Sequence, residues 1–391
     1  MLAFKVALKN LIGAGLRTWL NVAVLSFAFV IIILYNGMMD GWNQQARTDT
    51  IKWEVGNGQI WQEDYDPYDP FTIQDAHAVI PKTLEQDIEK ETIIPQLFIQ
   101  GTIYPNGRMQ SVLLKGITPE QKLLELPTSK LLANKEGEIP TIIGKRMAKS
   151  ANLAVGDRVL LRWRDKNGTF DAREILIQDI FDSNVPTVDL GQIWLDLKLL
   201  QDMTGMSNEA TLFVVNDEYK HQEIPSWKHQ ELSVLMADLD AIIASKKGSG
   251  IVLYGLLLII ALLAIFDTQV LSIFKRQKEI GTYIALGMTR WQVAGLFTIE
   301  GAAHSILAVL VAFIWGGPFL YYISSIGIPV NSTQADEIGL AMSESIIPVY
   351  GIGLIVSTIL LVVISSTIVS FLPARKIARM KPTEALKGKL Q

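Results

Sequence analysis

Residues 250–290 read "GIVLYGLLLIIALLAIFDTQVLSIFKRQKEIGTYIALGMTR". From Gly250 to Phe274 the only charged side chain is Asp267 among strongly apolar neighbours. At about 1.5 Å per residue a helix of this length crosses a hydrocarbon core of about 30 Å. Charge then arrives at once, as Lys275, Arg276, Lys278 and Glu279, and a second apolar run is under way by Ala294. Within the short charged segment Ile280, Tyr283, Ile284 and Leu286 group on one side of a helical projection. The charges lie mainly at its ends, and Gly281 and Gly287 allow close backbone approach. Two readings fit these residues. One is a helix resting on lipid headgroups, the other a helix that docks into a cytoplasmic partner.

Three further apolar runs belong to the same pattern. Residues 19–39 ("WLNVAVLSFAFVIIILYNGMM") form a first span. A cleaved leader would have a shorter apolar stretch followed by small residues, whereas Tyr35, Met38, Met39 and Trp42 stand here. Residues 294–324 are long enough to need tilt or a break near Gly316, Gly317 and Pro318, and residues 346–372 form the last span. The expected domain limits are therefore spans at 19–39, 250–274, 294–324 and 346–372, an insertion at 40–249, short connections at 275–291 and 325–345, and a tail at 373–391. Ahead of the first span, residues 1–18 place Phe4, Leu8, Leu11, Ile12 and Leu16 at helical spacing with Lys5, Lys9 and Arg17 between them. This is the pattern of an amphipathic helix on a membrane surface.

Basic residues set the orientation. Lys5, Lys9 and Arg17 precede the first span, Lys275, Arg276, Lys278 and Arg290 follow the second, and Arg375, Lys376, Arg379, Lys381, Lys387 and Lys389 follow the fourth. The 325–345 loop carries Asp336, Glu337 and Glu344 and neither Lys nor Arg. Both termini and the 275–291 connection are thus expected in the cytoplasm, and the insertion outside. The insertion holds 22 basic against 32 acidic residues. Long domains translocate regardless of such a balance, so it does not decide the orientation.

The fold class expected is a multi-pass α-helical membrane protein with four transmembrane helices, one before and three after a large α/β extracytoplasmic domain. Mean hydropathy of +0.28, with 49% hydrophobic and 19% charged residues, agrees with several spans plus a soluble part. Within the insertion, 157–163 ("DRVLLRW") and 173–180 ("REILIQDI") alternate as strands about a turn at 165–168, and 211–217 reads as another strand. Residues 227–247 have helical spacing at Leu232, Leu235, Met236, Leu239 and Ile242. They run almost directly into the second span, while 40–53 continues the first without an early breaker. Both spans are expected to extend outward as stalks. The acidic stretch 63–70 ("EDYDPYDP") reads as a solvated, proline-punctuated loop.

Several chemistries are excluded. There is no cysteine, hence no disulfide, thiolate metal site or cysteine nucleophile. A net charge of −4 offers no general footprint for nucleic acid. The nearest approach to a phosphate loop, Gly137–Met147, has six residues between its glycines where four are needed, and Arg146 where Ser or Thr would hold Mg²⁺. His77, His221, His229 and His304 show no metal-ligand spacing. No catalytic residue and no metal site is expected. The triplets at Asn167 and Asn331 fit a glycosylation pattern that often arises by chance. Asp267, Glu300 and His304 are ionisable groups expected inside the membrane. Glu300 and His304 are four apart and could pair, with a relay or ordinary interhelical packing as the two readings.

The charged stretch resembles the signature of the FtsX/MacB-type ABC permeases, in which a second span is followed by R-x-x-E-I-G-x-x-x-A-x-G. Here that is Arg276, Glu279, Ile280, Gly281, Ala285 and Gly287, with Val293 beyond. Residues 8–26, 113–120, 143–161, 295–307 and 372–387 resemble other segments of that family. The resemblance implies a permease that binds no cofactor itself and works with a pair of cytoplasmic ATPase subunits, which hold ATP and Mg²⁺. It implies a second permease chain, identical or paralogous, in a bacterial inner membrane. The coupling segment carried over comprises Lys275, Arg276, Lys278, Glu279, Ile280, Gly281, Ile284, Ala285, Leu286, Gly287 and Arg290, with Arg276 and Glu279 as the expected polar contacts. Asp267 departs from the small polar residue expected there. Chain length and insertion size suit the lipoprotein-releasing permeases, which pass lipoproteins to a periplasmic carrier. An apolar cavity lined by Phe27, Val30, Ile31, Leu34, Leu257, Ile260 and Leu263 would then receive lipid or acyl chains. The alternatives are a MacB-like exporter with an adaptor, and an FtsX-like transducer that acts on cell-wall hydrolases.

Overall fold

The computed structural model describes residues 16–132, 137–329 and 345–377. Most of the expected amphipathic helix at 1–18, the acidic residues of the 325–345 loop, Asn331, and the tail from Arg379 onward lie outside the described residues. In chain order come α1 (Leu16–Thr50), a π-helical turn (Ile51–Val55), β1 (Gly58–Gln62), β2 (Ala78–Val79), β3 (Ile93–Ile103), β4 (Gln110–Ile117), β5 (Pro140–Gly144) and α2 (Lys145–Ala151). Then follow β6 (Arg158–Arg164), β7 (Phe170–Phe181), β8 (Gln192–Asp196), α3 (Leu197–Thr204), β9 (Glu209–Ala210), β10 (Leu212–Val215) and β11 (Trp227–Glu231). The chain continues through α4 (Ala237–Lys275), α5 (Gln277–Ala285), α6 (Arg290–Ile326) and α7 (Ile352–Ala374).

Two compact units result. One gathers the chain up to Trp42, Ile242–Ile328 and the chain from Ile346, and the other is built from Asn43–Ala241. The four helices α1, α4, α6 and α7 are long and apolar enough to cross a membrane. α4 has 39 residues, about twice the length a bilayer core requires. In the helical unit Val22, Leu25, Phe29 and Ile33 recur every third or fourth residue of α1. They bury against Leu258, Ala261 and Ile265 of α4 and Ala308 and Ala312 of α6. α6 runs unbroken through Pro318. α7 starts at Ile352, later than the expected 346, because Pro348 disfavours helix in the residue before it. The emerging ends of α1 and α4 are tied by Tyr35 Oη to Lys246 O at 2.8 Å and by Lys247 to Asp40 at 2.5 Å.

In the other unit the sheet runs β11-β1-β10-β3-β4-β8-β5-β7-β6, and β6 pairs back onto β3. Six strands thereby close on themselves. The closure is short, matching Gly101–Ile103 with Trp163–Leu161. The eleven-residue β3 makes this possible, pairing β10 through its first half and β6 through its last residues. Leu97, Ile99, Leu114, Leu161, Trp163 and Ile193 fill the interior, with Met147 of α2 and Leu200 of α3 packed against them. A second layer outside the closed strands joins Phe98, Trp194 and Phe181 to Trp53 and Tyr65.

The hairpin expected about 165–168 forms as β6 and β7, and the strand expected at 211–217 forms as β10. Trp227–Glu231, expected to begin a long helix, is instead a strand. It pairs antiparallel with β1 along five residues, and helix resumes only at Leu232. Within this unit Arg47 of α1 meets Asp240 of α4 at 2.8 Å.

One buried cation stands out. Lys115 of β4 is 5% exposed, and its ammonium lies 4.5 Å from the Phe98 ring and 5.0 Å from the Trp194 ring. These two residues are its lateral neighbours in β3 and β8, so the ladder register itself builds the aromatic cradle. Burial lowers its pKa to about 8, a drop that the carboxylate of Glu54 opposes.

Candidate functional site: the connection between α4 and α6

The charged stretch folds as expected into a short helix, α5, between two long ones. Its boundaries follow from local chemistry. Gly287 adopts φ +97°, a conformation disfavoured for any residue with a Cβ. Met288 N bonds Tyr283 O at 3.1 Å and Gly287 N bonds Ile284 O at 3.1 Å, which closes the helix in a Schellman motif. Two residues later Thr289 caps α6. Its hydroxyl accepts from Gln292 N at 3.3 Å, while the Gln292 side chain accepts from Thr289 N at 2.8 Å. Termination and restart within three residues fix the angle between the helices.

One face of α5 is buried. Ile280 is fully enclosed by Ile273 of α4, Val293, Ala294 and Phe297 of α6, and Ala374 and Ile377 at the end of α7. Tyr283, Ile284 and Met288 pack around this cluster. Leu286, expected on the apolar face, lies outside it and is 78% exposed. It stands at the C-cap, where the chain has already turned away from the helix axis.

Arg276 does not point outward. Its Nη1 donates to both carboxylate oxygens of Glu300 at 2.9 Å, and its Nε donates to Glu279 at 2.7 Å. Its guanidinium lies 4.9 Å from the ring of Phe297. The side chains of Arg276 and Glu300 are 19% and 12% exposed. Arg276 therefore bolts the start of α5 to the third turn of α6. The outward face is left to Lys275, Lys278, Glu279, Thr282, Ala285, Leu286, Arg290 and Trp291, with Trp291 61% exposed.

The pairing of Glu300 with His304 does not form, because the carboxylate is taken by Arg276. His304 Nδ1 lies instead 3.1 Å from the Glu300 carbonyl and 3.3 Å from that of Gly301. Its Nε2 is buried without a partner among the described residues. Asp267 is exposed on α4, with Leu263 and Leu271 one turn to either side.

The seven expected cavity residues differ in exposure. Phe27, Ile260 and Leu263 are exposed, Ile31, Leu34 and Leu257 are half-buried, and Val30 is buried against Gly316. An apolar crevice of about 240 Å³ lies between α1 and α6, lined by Phe29, Val30, Ile33, Phe313, Leu320 and Tyr350. Only Val30 belongs to both sets. In the sheet unit a cavity of about 870 Å³ opens between the Pro70–Asp75 loop and the outer faces of β3 and β6, with Arg162, Arg164 and Phe170 on its wall.

Sequence reasoning missed the roles of Phe297, Trp291 and Ile377. The Thr289-x-x-Gln292 box was readable as a helix start. The burial of Phe297 against a segment twenty residues earlier was not.

Four helices long and apolar enough to cross a membrane, a charged turn between two of them and a large α/β unit describe a multi-pass membrane architecture. Residues 251–382 match the FtsX-like permease C-terminal family. A curated relative, the uncharacterized ABC transporter permease YknZ of Bacillus subtilis (strain 168), is 24% identical over 222 residues, 56% of this chain and 50% of that protein. The match thus spans about half the length of that relative. The crystal structure of the extracellular domain of the noncanonic ABC-type transporter YknZ from Gram-positive bacteria is similar at 15% identity and a TM-score of 0.26. It covers 47% of this chain and 94% of that one. Residues 251–382 thus carry an FtsX-like permease C-terminal domain, and the FtsX/MacB-type family is the one these likenesses support.

Proposed function

We propose that this chain is the permease subunit of an ATP-driven ABC complex that transmits motion across the membrane, and that its α5 segment receives that motion from a separate cytoplasmic ATPase pair. The observation that carries this reading is the construction of α5. Its inner face is fixed by Ile280 and by the Arg276–Glu300 pair, while Lys278, Leu286 and Trp291 face outward beside it. A helix bolted to its own bundle can pass a push on its outer face to α4 and α6 without first yielding. Exposed Leu and Trp rimmed by charges suit a protein partner. In this reading Arg276 and Glu300 position the helix, and Lys278, Glu279, Leu286 and Trp291 meet the ATPase. Both termini lie in the cytoplasm, one span precedes and three follow the domain at 40–249, and that domain stands outside. A second permease chain completes the complex and shields Asp267 from lipid, where a lone carboxylate is costly. ATP and Mg²⁺ stay on the ATPase.

The substrate class proposed is an acylated protein taken from the outer leaflet and passed to an extracytoplasmic carrier. Purification in mild detergent, with mass spectrometry of bound proteins, tests both levels. We expect an ATPase subunit and an acylated lipoprotein. Leu286→Ala together with Trp291→Ala should lower ATPase recovery at least tenfold. Unchanged recovery would remove the assigned surface. An adaptor or a hydrolase in place of a lipoprotein would overturn extraction while leaving the ATP-driven permease. No ATPase with the unaltered chain would overturn the whole reading.

A further inference from the structure

The chain has four histidines, and two of them meet. His77 contacts Glu209 at 2.5 Å and His304 lies against helix carbonyls, whereas the rings of His221 and His229 are 4.6 Å apart, tilted by 48°. Seven residues lie between them, a spacing that matches no metal motif. The fold supplies the proximity. Ile224 and Trp227 bridge across a tight turn in which Ser226 has φ +66°, and this folds the segment before β11 back beside it. His221 is exposed and His229 half-buried, and both line a cavity of about 610 Å³ with Gln222 and Glu223.

We propose that His221 and His229 chelate one divalent transition-metal ion across this turn, with water completing the coordination. Geometry supports the pair. Imidazole nitrogens bind such metals at about 2.0–2.1 Å. Adding roughly 1 Å to each ring centre puts two cis rings about 4.5 Å apart at a right angle and about 5 Å apart at a tetrahedral one. The 4.6 Å between ring centres lies within this range. His229 Nδ1 is buried without a hydrogen-bond partner among the described residues. The charged groups nearby do not block the site. Lys228 turns its ammonium to the Glu63 carbonyl at 3.1 Å. No group of three His, Asp or Glu converges among the described residues, so the ion would hold solvent positions open to exchange. Binding would staple the turn to β11, the outermost strand of the sheet.

The test uses the full chain in detergent with Cu(II) as the probe, read by electron paramagnetic resonance. We expect one saturable site whose spectrum carries splitting from two nitrogens. His221→Gln and His229→Gln should each weaken Cu(II) binding at least tenfold, with His77→Gln and His304→Gln without effect. His221 is exposed, so its variant reports on the site even where His229→Gln perturbs folding. Unsaturable binding overturns the proposal, and so does an unchanged two-nitrogen spectrum in His221→Gln.

Discussion

Glu300→Gln is the sharpest probe of how α5 is held. The Arg276 guanidinium meets both Glu300 oxygens at 2.9 Å, and both side chains are less than a third exposed, so solvent screening discounts the pair little. Hydrogen bonds to charged groups contribute about 1.5–3 kcal/mol, and removing one partner of a buried pair costs about 3–5 kcal/mol. Arg276 would keep Glu279 and the face of Phe297, and glutamine would keep one acceptor. A loss of about 2 kcal/mol is therefore expected. The Arg276–Glu279 contact behaves differently. Glu279 is 54% exposed, and such pairs contribute about 0–1 kcal/mol, so Glu279→Gln should cost less than half as much. Thermal unfolding of the detergent-solubilised chain, followed by tryptophan fluorescence, gives the comparison. A double-mutant cycle with Arg276→Gln should return a coupling of about 2 kcal/mol for Glu300. Equal losses from the two glutamates, or a coupling below about 0.5 kcal/mol, would refute the clamp.

Two further outcomes follow from the packing. A lysine pKa lowered from 10.5 to about 8 corresponds to about 3 kcal/mol of cost for the charged form, partly offset by about 1 kcal/mol from each aromatic face. Lys115→Met should thus raise stability by about 1 kcal/mol at pH 7. The cost is complete below pH 8 and is relieved by about 1.4 kcal/mol per pH unit above it, so the advantage should vanish at about pH 9, and a pH-independent difference in melting temperature would contradict this. At Gly316 an added methyl would stand 2.3 Å from Val30 Cγ2, so Gly316→Ala should destabilise the helical unit by about 1–3 kcal/mol. Val30→Ala in the same chain should recover part of that loss, and the absence of any recovery would place the strain elsewhere.

The four apolar helices, a short helix within 275–290 and strands near 157–163 and 211–217 were legible in the chain alone. These rest on period, length and capping chemistry, which act between residues close in the chain. Gly287 and the Thr289–Gln292 box are readable for the same reason. Tertiary structure decided what depends on distant partners. Trp227–Glu231 is a strand because β1 offers it five residues of ladder, which outweighs the helical spacing that begins just beyond. Glu300 belongs to Arg276 and not to His304 because the turn at Gly287 folds α6 back against the end of α4. Leu286 looks apolar and inward in projection, and the left-handed residue after it turns it out. Only the fold closes six strands through three residues of β3 and β6, and only the turn at Ser226 brings His221 to His229. Each is a contact between residues whose sequence separation carries no period. Local pattern therefore cannot announce it, and the folded chain fixes it by the burial and hydrogen bonding it gains.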